Sequence, residues 1–397
     1  MTVAAAIVLV LALVGLVLLV PIVVLLVEIL ASFCKVRAPE QHSATPRIAV
    51  LVPANDEAVT IGATVASLLP ELGDRGRLLV VADNCTDDTA AIARAGGAEV
   101  ISRSDTSRRG KGYALDFGVR HLAVDPPDVV VVIDADCRAG SGSIARIAGL
   151  AAVSHRPVQA YYTLNPPEGA DSLYLSMASF AWRVKNLVRP LGCLRLGLAC
   201  QLMGTGMAIP WSLISRSNLA TSEIVEDLVL GLELARAGNP PLFCPDAVVA
   251  SEFPLARNGQ KTQRERWEAG HLNTIAGRLP RLLSDAVRRA DVVLLALVLD
   301  AAVPPLAFLA VAIVMFTVLA LIGAIVAGSF YAFGLAVAGC LLFAIAVLLA
   351  WWRSGRDILT FWQLVLAPGY ILSKLGTYVR LLAGRRPEWI RSDRGTH

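Results

Sequence analysis

Charged residues are scarce in this chain: they make up 17% of its 397 residues, whereas 55% are hydrophobic. A soluble globular domain carries roughly a quarter charged residues, so apolar segments must be concentrated somewhere in the chain. Aromatic residues are also few, at 6%, and the net charge is only +4. Because no basic stripe is interleaved with aromatic residues, the composition excludes a nucleic-acid partner. The sequence therefore predicts a membrane protein with a soluble part.

Cysteine is scarce as well, and its pattern excludes two classes of site. The chain has seven cysteines, an odd number, and no C-x-x-C pair. This argues against a disulfide framework or a structural zinc site and favours reduced thiols in a cytosolic setting. The residues before the first apolar run include no Lys or Arg, which favours an uncleaved membrane anchor over a cleaved signal peptide.

Long hydrophobic runs, by contrast, are present at both ends. Val3 to Phe33 contains one charged residue, Glu28, and is long enough to span a bilayer. Lys35 and Arg37 follow at once, which places the next segment in the cytoplasm by the positive-inside rule. We therefore expect residues 1–34 to form an N-terminal transmembrane anchor.

A second apolar zone predicts two more spans. Leu306–Ala327 and Tyr331–Trp352 are each long enough to cross the membrane. We expect interfacial helices at 281–303, two transmembrane helices within 304–352, and a basic cytosolic tail with an interfacial helix at 353–397. This predicts a multi-pass protein of the plasma or inner membrane, with the block between the apolar zones in the cytosol.

The block between these zones, residues 46–280, alternates strands and helices. The apolar runs Arg47–Val52, Arg77–Ala82 and Val129–Ile133 read as strands, and the last is five consecutive β-branched residues. Alternating β and α predicts an α/β fold, with a largely parallel sheet and helices on both faces. Ligands of such sheets bind outside the carboxyl ends of the strands.

Acidic residues follow two of these predicted strands. Asp134 and Asp136 come just after Val129–Ile133, where both can reach one divalent cation. Mg²⁺ and Mn²⁺ prefer oxygen ligands and commonly bridge protein carboxylates to substrate phosphates. Asp83 follows Arg77–Ala82 and could accept a hydrogen bond from the base or ribose of a nucleotide. The alternatives are solvated loop acids for the first pair and a turn with a helix N-cap for Asp83.

Three further clusters suggest phosphate and sugar chemistry. Arg108–Gly112 brings three cations to the head of a predicted helix, which suits a diphosphate, although it could be a solvated basic turn. Glu226 and Asp227 begin another helix, and by themselves they could be an electrostatic cap. At helical spacing Gln263, Arg266 and Trp267 share one face. They could hold a diphosphate and stack on a sugar, or form an amphipathic helix at the membrane edge.

As an ordered set, these residues resemble the membrane-integrated family 2 glycosyltransferases, which include cellulose, chitin and hyaluronan synthases. That family has three separated acidic sites followed by Q-x-x-R-W, and here thirty-five residues lie between Asp227 and Gln263. Further segments similar to family motifs are Val52–Glu57, Arg109–Gly112, Met203–Gly206 and Trp389–Arg394. One departure is Asp83-Asn84-Cys85, where D-D-G-S is commoner.

The resemblance implies a GT-A fold that binds a nucleotide sugar, most often UDP-linked, with Mg²⁺ or Mn²⁺. It implies Asp227 as the catalytic base and Asp136 with Asp134 as metal ligands. The implied donor-binding residues are Pro53, Asn55, Glu57, Asp83, Arg109, Lys111 and Asp134. The implied acceptor- and diphosphate-binding residues are Glu226, Gln263, Arg266 and Trp267.

The expected reaction is inverting transfer that elongates a β-linked extracellular polysaccharide at the cytosolic membrane face. The alternative is transfer of a single sugar to a membrane lipid. Three spans are few for a self-contained polysaccharide channel, so polymer export would require the interfacial helices, an export partner or a homo-oligomer to complete the pore.

Overall fold

The computed structural model describes residues 2–35, 45–73, 76–167, 169, 172–253 and 257–382. The Trp389–Arg394 motif and the end of the predicted basic tail lie outside the described residues.

The described chain alternates strands and helices between apolar helices at its two ends. The strands are Ile48–Ala54 (β1), Arg77–Asp83 (β2), Glu99–Arg103 (β3), Val129–Val132 (β4), Arg138–Ala139 (β5), Val158–Asn165 (β6), Met207–Pro210 (β7) and Leu242–Glu252 (β8). The first nine helices are Val3–Ala31 (α1), Ile61–Leu68 (α2), Thr89–Ala95 (α3), Lys111–Leu122 (α4), Ser143–Ser154 (α5), Leu173–Arg183 (α6), Arg189–Arg195 (α7), Trp211–Ile214 (α8) and Glu226–Arg236 (α9). The later helices are Arg257–Gly277 (α10), Leu279–Arg288 (α11), Val292–Ala301 (α12), Leu306–Ala327 (α13), Tyr331–Ser354 (α14), Phe361–Val365 (α15) and Ala367–Leu382 (α16). A 3₁₀ turn covers Leu69–Glu71, and a π-helical segment, Val184–Val188, joins α6 to α7.

The described strands form one eight-stranded sheet in the order β3-β2-β1-β4-β7-β6-β8-β5. β3, β2, β1 and β4 are parallel, as the sequence predicts. The other half is mixed, because β7 runs antiparallel to both β4 and β6. In the antiparallel register of β4 and β7, Met207, which begins β7, pairs with Val132, which ends β4. The segment before β7 therefore lies at the carboxyl edge of the parallel strands.

The central strands are buried on both faces, which explains their nearly continuous Val, Leu and Ala. Along β1, Val50 and Val52 pack into one apolar cluster, which includes residues of α2 and α5. Ala49 and Leu51 point to the opposite cluster, which includes residues of α4. Helices thus cover both faces of the sheet, and this α/β architecture is confirmed.

The helices α2 and α3 begin at Ile61 and Thr89, several residues after the strands that precede them. The intervening loops hold each other: the Thr86 amide donates to Asp56 Oδ1 at 2.5 Å, and the Glu57 amide donates to Thr89 Oγ1 at 2.7 Å. These hydrogen bonds keep both loops out of their helices.

In the described part of the chain, α1, α13 and α14 are long and apolar enough to cross a membrane. They have 29, 22 and 24 residues. They pack on one another, and α1 approaches α13 closely where a Cβ at Gly15 would lie 2.9 Å from the Phe316 ring. Their orientation in the membrane, and the interfacial position predicted for α12, stay predictions.

A buried ionic cluster joins α1 to the sheet domain. Arg189 of α7 donates through Nε to Glu28 Oε2 at 2.6 Å and pairs with the carboxylate of Asp300 on α12. Gln201 Nε2 donates to the same Asp300 carboxylate at 2.8 Å. The helices approach so closely that a Cβ at Gly192 would lie 1.9 Å from the carbonyl oxygen of Glu28. Glu28, the one charged residue of the first apolar run, is therefore an anchor between that helix and the domain.

Candidate active site

The strand-end acids meet at one edge of the sheet. Asp83 ends β2, while Asp134 and Asp136 follow β4. β2 and β4 flank β1 in parallel, so their carboxyl ends share one edge. There all three acids line a cavity of about 540 Å³, which we call the donor cavity. The three acids therefore lie together, as the sequence predicts, while their roles stay predictions.

Asp134 and Asp136 offer a suitable set of ligands for a hard cation. A carboxylate oxygen of each and the Cys137 sulfur all lie within 4.8 Å of one another. Burial raises the pKa of the Cys137 thiol well above its ordinary value, so the neutral thiol is a poor ligand. The Ser251 hydroxyl donates to Asp136 Oδ2 at 3.3 Å and orients that carboxylate. Two carboxylates on the wall of the donor cavity fit Mg²⁺ or Mn²⁺, whose remaining ligands would come from substrate and water.

Lys111 lies at the start of α4, among the carboxylates. Its Nζ is 2.5 Å from Asp134 Oδ1 and 3.8 Å from Glu226 Oε1, and it donates to the Gly204 carbonyl oxygen at 2.7 Å. Burial lowers the pKa of Lys111, but Asp134 and Glu226 outweigh it, so the pKa is raised and the ammonium stays charged. The cation predicted for the donor diphosphate thus joins Asp134, one of the two predicted metal ligands, to the front of α9.

The Met203–Gly206 segment passes directly over this cluster. Gly204 has a φ of +86°, and a Cβ there would lie 3.2 Å from Asp227 Oδ2 and 3.4 Å from Lys111 Nζ. Glycine is therefore needed here both for the backbone conformation and for the close approach. Buried Gln159 holds the segment: its Oε1 accepts from the Met203 amide at 2.8 Å, and its Nε2 donates to the Thr205 carbonyl at 2.8 Å. Gln159 belongs to no motif singled out in the sequence.

Glu226 and Asp227 are the first two residues of α9 and line a second cavity of about 540 Å³, which we call the catalytic cavity. Burial raises the pKa of Glu226 to about 8, with Lys111 opposing this shift. Burial also raises the pKa of Asp227, again opposed by Lys111. A carboxylate with a raised pKa is a better proton acceptor near neutral pH, which is what a general base requires.

In the donor cavity, Asp83 is held by a residue that the sequence does not single out. Arg103 donates to Asp83 Oδ1 at 2.6 Å, and the Asn84 side chain donates to the same oxygen at 2.9 Å. Burial raises the pKa of Asp83 and Arg103 opposes the shift. Asn55 donates its amide to the Asp83 carbonyl oxygen at 2.7 Å, so it fixes the loop that carries the acid. Other predicted donor residues that line this cavity are Pro53, Glu57, Arg109 and Lys111.

An aromatic cluster forms part of the walls of both cavities. Trp267 lies beside Trp182, with ring centroids 5.2 Å apart and planes at 39°. Trp182 Nε1 donates to the Tyr162 carbonyl at 3.1 Å, and the two rings meet edge to face. Arg266 and Trp267 line both the donor and the catalytic cavities. Gln263 lies on the same helix, α10, and its contact with the diphosphate stays a prediction.

Comparison with known families decides the class of this fold. Residues 46–270 match the family model described as glycosyltransferase like family 2. The chain belongs to this family. Probable glycosyltransferase YdaM of Bacillus subtilis is 25% identical over 252 residues, which are 58% of this chain and 57% of YdaM.

Other relatives match over shorter segments. Glucosyl-3-phosphoglycerate synthase of Mycolicibacterium paratuberculosis is 40% identical over 103 residues, so the match spans 24% of this chain and 30% of that enzyme. Among solved structures, the mannosyltransferase PcManGT from Pyrobaculum calidifontis, in complex with GDP-Man and Mn²⁺, has a TM-score of 0.57 at 17% identity. That match covers 94% of this chain and 99% of PcManGT, so the shared fold includes the terminal helices.

Proposed function

We propose that this chain is a membrane-integrated, inverting glycosyltransferase that uses a nucleoside-diphosphate sugar and a divalent cation at the cytosolic face of the membrane. One observation carries the proposal. Asp134, Lys111 and Asp227 meet around the catalytic cavity, and this cavity shares Asp134 and Lys111 with the donor cavity beside it. A donor and an acceptor can therefore meet at one group of charges.

Each group has a part in the transfer. Asp227 accepts the proton of the acceptor hydroxyl as its oxygen attacks the anomeric carbon. The bond between that carbon and the diphosphate oxygen breaks, and its electron pair leaves with the nucleoside diphosphate. A single displacement inverts the anomeric configuration. Asp134 and Asp136 would hold Mg²⁺ or Mn²⁺, which neutralises charge on the leaving diphosphate. Arg266 and Gln263 would bind the diphosphate, and Trp267 would support the acceptor.

The relatives support this class of donor and cation. The structure of PcManGT is a complex with GDP-Man and Mn²⁺. The relative from Mycolicibacterium paratuberculosis is named as a synthase of glucosyl-3-phosphoglycerate. We keep UDP as the first nucleotide to test, because the resemblance to polysaccharide synthases implies it, and GDP as the second.

Two acceptors compete. The Q-x-x-R-W motif at Gln263–Trp267 favours elongation of a β-linked polysaccharide, which would need an export partner or a homo-oligomer. An apolar cavity beside the catalytic cavity, lined by Trp182, Trp267 and Leu306, favours a membrane lipid.

The test is a transfer assay with the full-length protein in nanodiscs. Radiolabelled UDP- and GDP-sugars are supplied with Mg²⁺ or Mn²⁺, and products are separated into polymer, lipid-extractable and free-sugar fractions. We expect Asp227→Asn to lower transfer by roughly 10²–10⁴-fold, the usual contribution of a general base. The matched control Asp246→Asn changes an exposed acid of β8 and should leave transfer unchanged. Equal transfer by Asp227→Asn and wild type would refute the assignment of the base.

A further inference from the structure

An apolar cavity of about 120 Å³ lies between the sheet domain and the first turn of α13. Its walls come from α6 and the π-helical segment, from α10, from the entry to α13 and from Tyr370 of α16. Four residues line both this cavity and the catalytic cavity, namely Trp182, Lys185, Trp267 and His271. The catalytic cavity therefore continues toward the end of a helix that is apolar enough to cross the membrane.

The polar groups of this wall are almost all engaged. Arg189 is paired with two carboxylates, His271 Nε2 lies 2.8 Å from the Ala301 carbonyl oxygen, and Glu268 likewise has an interaction partner. Lys185 differs: within the described residues it makes no hydrogen bond or ion pair, and its contact is with the Trp182 ring, whose centroid lies 5.9 Å from Nζ.

Among the described residues no carboxylate lies at ion-pair distance from this half-buried ammonium, which favours an anionic ligand. Burial lowers the pKa of Lys185, which reflects the cost of leaving the cation without full hydration, and the charge of Asp227 opposes this shift only in part. A phosphate within reach would offset that cost through a charge-assisted hydrogen bond. Lys185 lines the catalytic cavity together with Asp227, so such an anion would lie near the reacting hydroxyl.

The whole cavity has the size of a short hydrocarbon segment. A cavity of about 150 Å³ lined by apolar side chains can bind benzene, and this one is about 120 Å³. Pro304, Pro305 and Leu306 lie on its wall. Val303 and Leu306 of this wall belong to one apolar cluster with Ile22 of α1. A chain that leaves the cavity past Leu306 therefore meets the apolar helices.

Resting on the glycosyltransferase function proposed above, we propose that the acceptor is an anionic lipid whose head group carries both a phosphate and a hydroxyl. The phosphate binds Lys185, the first carbons of the chain fill the cavity beside Leu306, and the hydroxyl faces Asp227. In the transfer, the hydroxyl oxygen bonds to the anomeric carbon, its proton passes to Asp227, and the nucleoside diphosphate leaves with the electron pair.

The test measures lipid retention on the full-length protein by native mass spectrometry. Nanodiscs of phosphatidylcholine contain an equal share of either phosphatidylinositol or monoglucosyl diacylglycerol. Both lipids carry chains and hydroxyls, and the first alone is anionic. Glycerophosphoinositol, which has the same phosphodiester head group and no acyl chain, is the soluble competitor. We expect wild type to prefer phosphatidylinositol and soluble glycerophosphoinositol to compete poorly.

Two substitutions separate the charge from the cavity. Lys185→Gln should reduce the preference for phosphatidylinositol roughly tenfold or more, the scale of one lost charged hydrogen bond. The exposed Lys35→Gln is its control. Ala307→Leu fills the cavity and should weaken retention of both lipids. Ala327→Leu makes the same change about 30 Å away on α13 and should not.

The outcomes distinguish this inference from the proposed function, because donor turnover is measured on the same preparations. An undiminished preference in Lys185→Gln, or label found in polymer, overturns the lipid assignment and leaves the glycosyltransferase standing. Failure of wild type to bind any nucleotide sugar overturns the proposed function, whatever lipid is retained.

Discussion

Removal of the Arg189 side chain should be among the most damaging single changes outside the catalytic cavity. Its guanidinium lies between two buried carboxylates, with Nε 2.6 Å from Glu28 Oε2 and Nη2 paired with Asp300. It also donates to the Asp300 carbonyl oxygen at 2.7 Å. Arg189, Glu28 and Asp300 are 4%, 4% and 5% exposed, so water cannot replace the lost cation. Arg189→Met would keep the bulk and leave two buried acids without their partner.

The magnitude follows from the cost of an uncompensated buried charge. Breaking a buried ion pair by removing one partner costs about 3–5 kcal/mol. For 397 residues, an unfolding entropy of about 2.1 cal/mol/K per residue gives about 0.8 kcal/mol/K. If the chain unfolds as one unit, Tm should fall by roughly 4–6 °C.

The assay is thermal unfolding in one detergent, with a matched exposed pair as control. Arg183 pairs with Asp357 at 2.6 Å, but the Asp357 side chain is 65% exposed. Arg183→Met should therefore cost only about 0–1 kcal/mol. Adding Glu28→Gln and Asp300→Asn to Arg189→Met should recover much of the lost stability. Equal Tm values for Arg189→Met and Arg183→Met would refute the reasoning.

Three further predictions concern protonation and packing. Asp227 must be ionised to act as the base, and Lys111 lowers its pKa. Lys111→Gln should therefore raise the pKa of Asp227 and move the acid limb of the pH profile of kcat/KM to higher pH. An acid limb at the same pH in both proteins would contradict this. Burial lowers the pKa of His271 from 6.5 to about 4. Between these two pH values the unfolded chain binds a proton and the folded chain does not. The free energy of unfolding should therefore fall by about 1.4 kcal/mol for each pH unit below 6.5. His271→Gln should flatten that slope in unfolding measurements at several pH values, and an equally steep slope would disprove it. A Cβ at Gly192 would lie 1.9 Å from a carbonyl oxygen of α1, whereas one at Gly277 meets no atom within 4 Å. Gly192→Ala should therefore cost about 1–3 kcal/mol or more and Gly277→Ala almost nothing; similar melting temperatures would argue against close packing of α1.

Residues with local signatures could be predicted from the sequence. The β-branched run at Val129–Val132 specifies a buried strand by itself, and the acids that follow it must then lie at the carboxyl edge of the sheet. The apolar helices are equally local, since length and hydropathy are sufficient to detect them. The predicted span Leu306–Ala327 has the same bounds as α13.

Residues that act through distant partners gave no such signal. Gln159 holds the Met203–Gly206 segment from a neighbouring strand, and Arg103 reaches Asp83 from 20 residues away. Lys185 is one cation among many until the fold places it on the wall between two cavities. The antiparallel direction of β7 has no local signature either, because the direction of a strand depends on where the chain re-enters the sheet.

The buried cluster at Arg189 also connects the apolar helices to the catalytic cavity. Asp300 accepts from Gln201, which lies two residues before Met203 in the segment that passes over Lys111 and Asp227. α1 contacts that network through Glu28, so the position of the first apolar helix and the position of the segment over the catalytic cavity depend on the same ion pairs. Under the proposed function, an acceptor that enters from the membrane requires Glu226 and Asp227 at a fixed height above the bilayer. A rigid ionic contact between α1 and the domain would provide that fixed height, which a flexible linker between them could not.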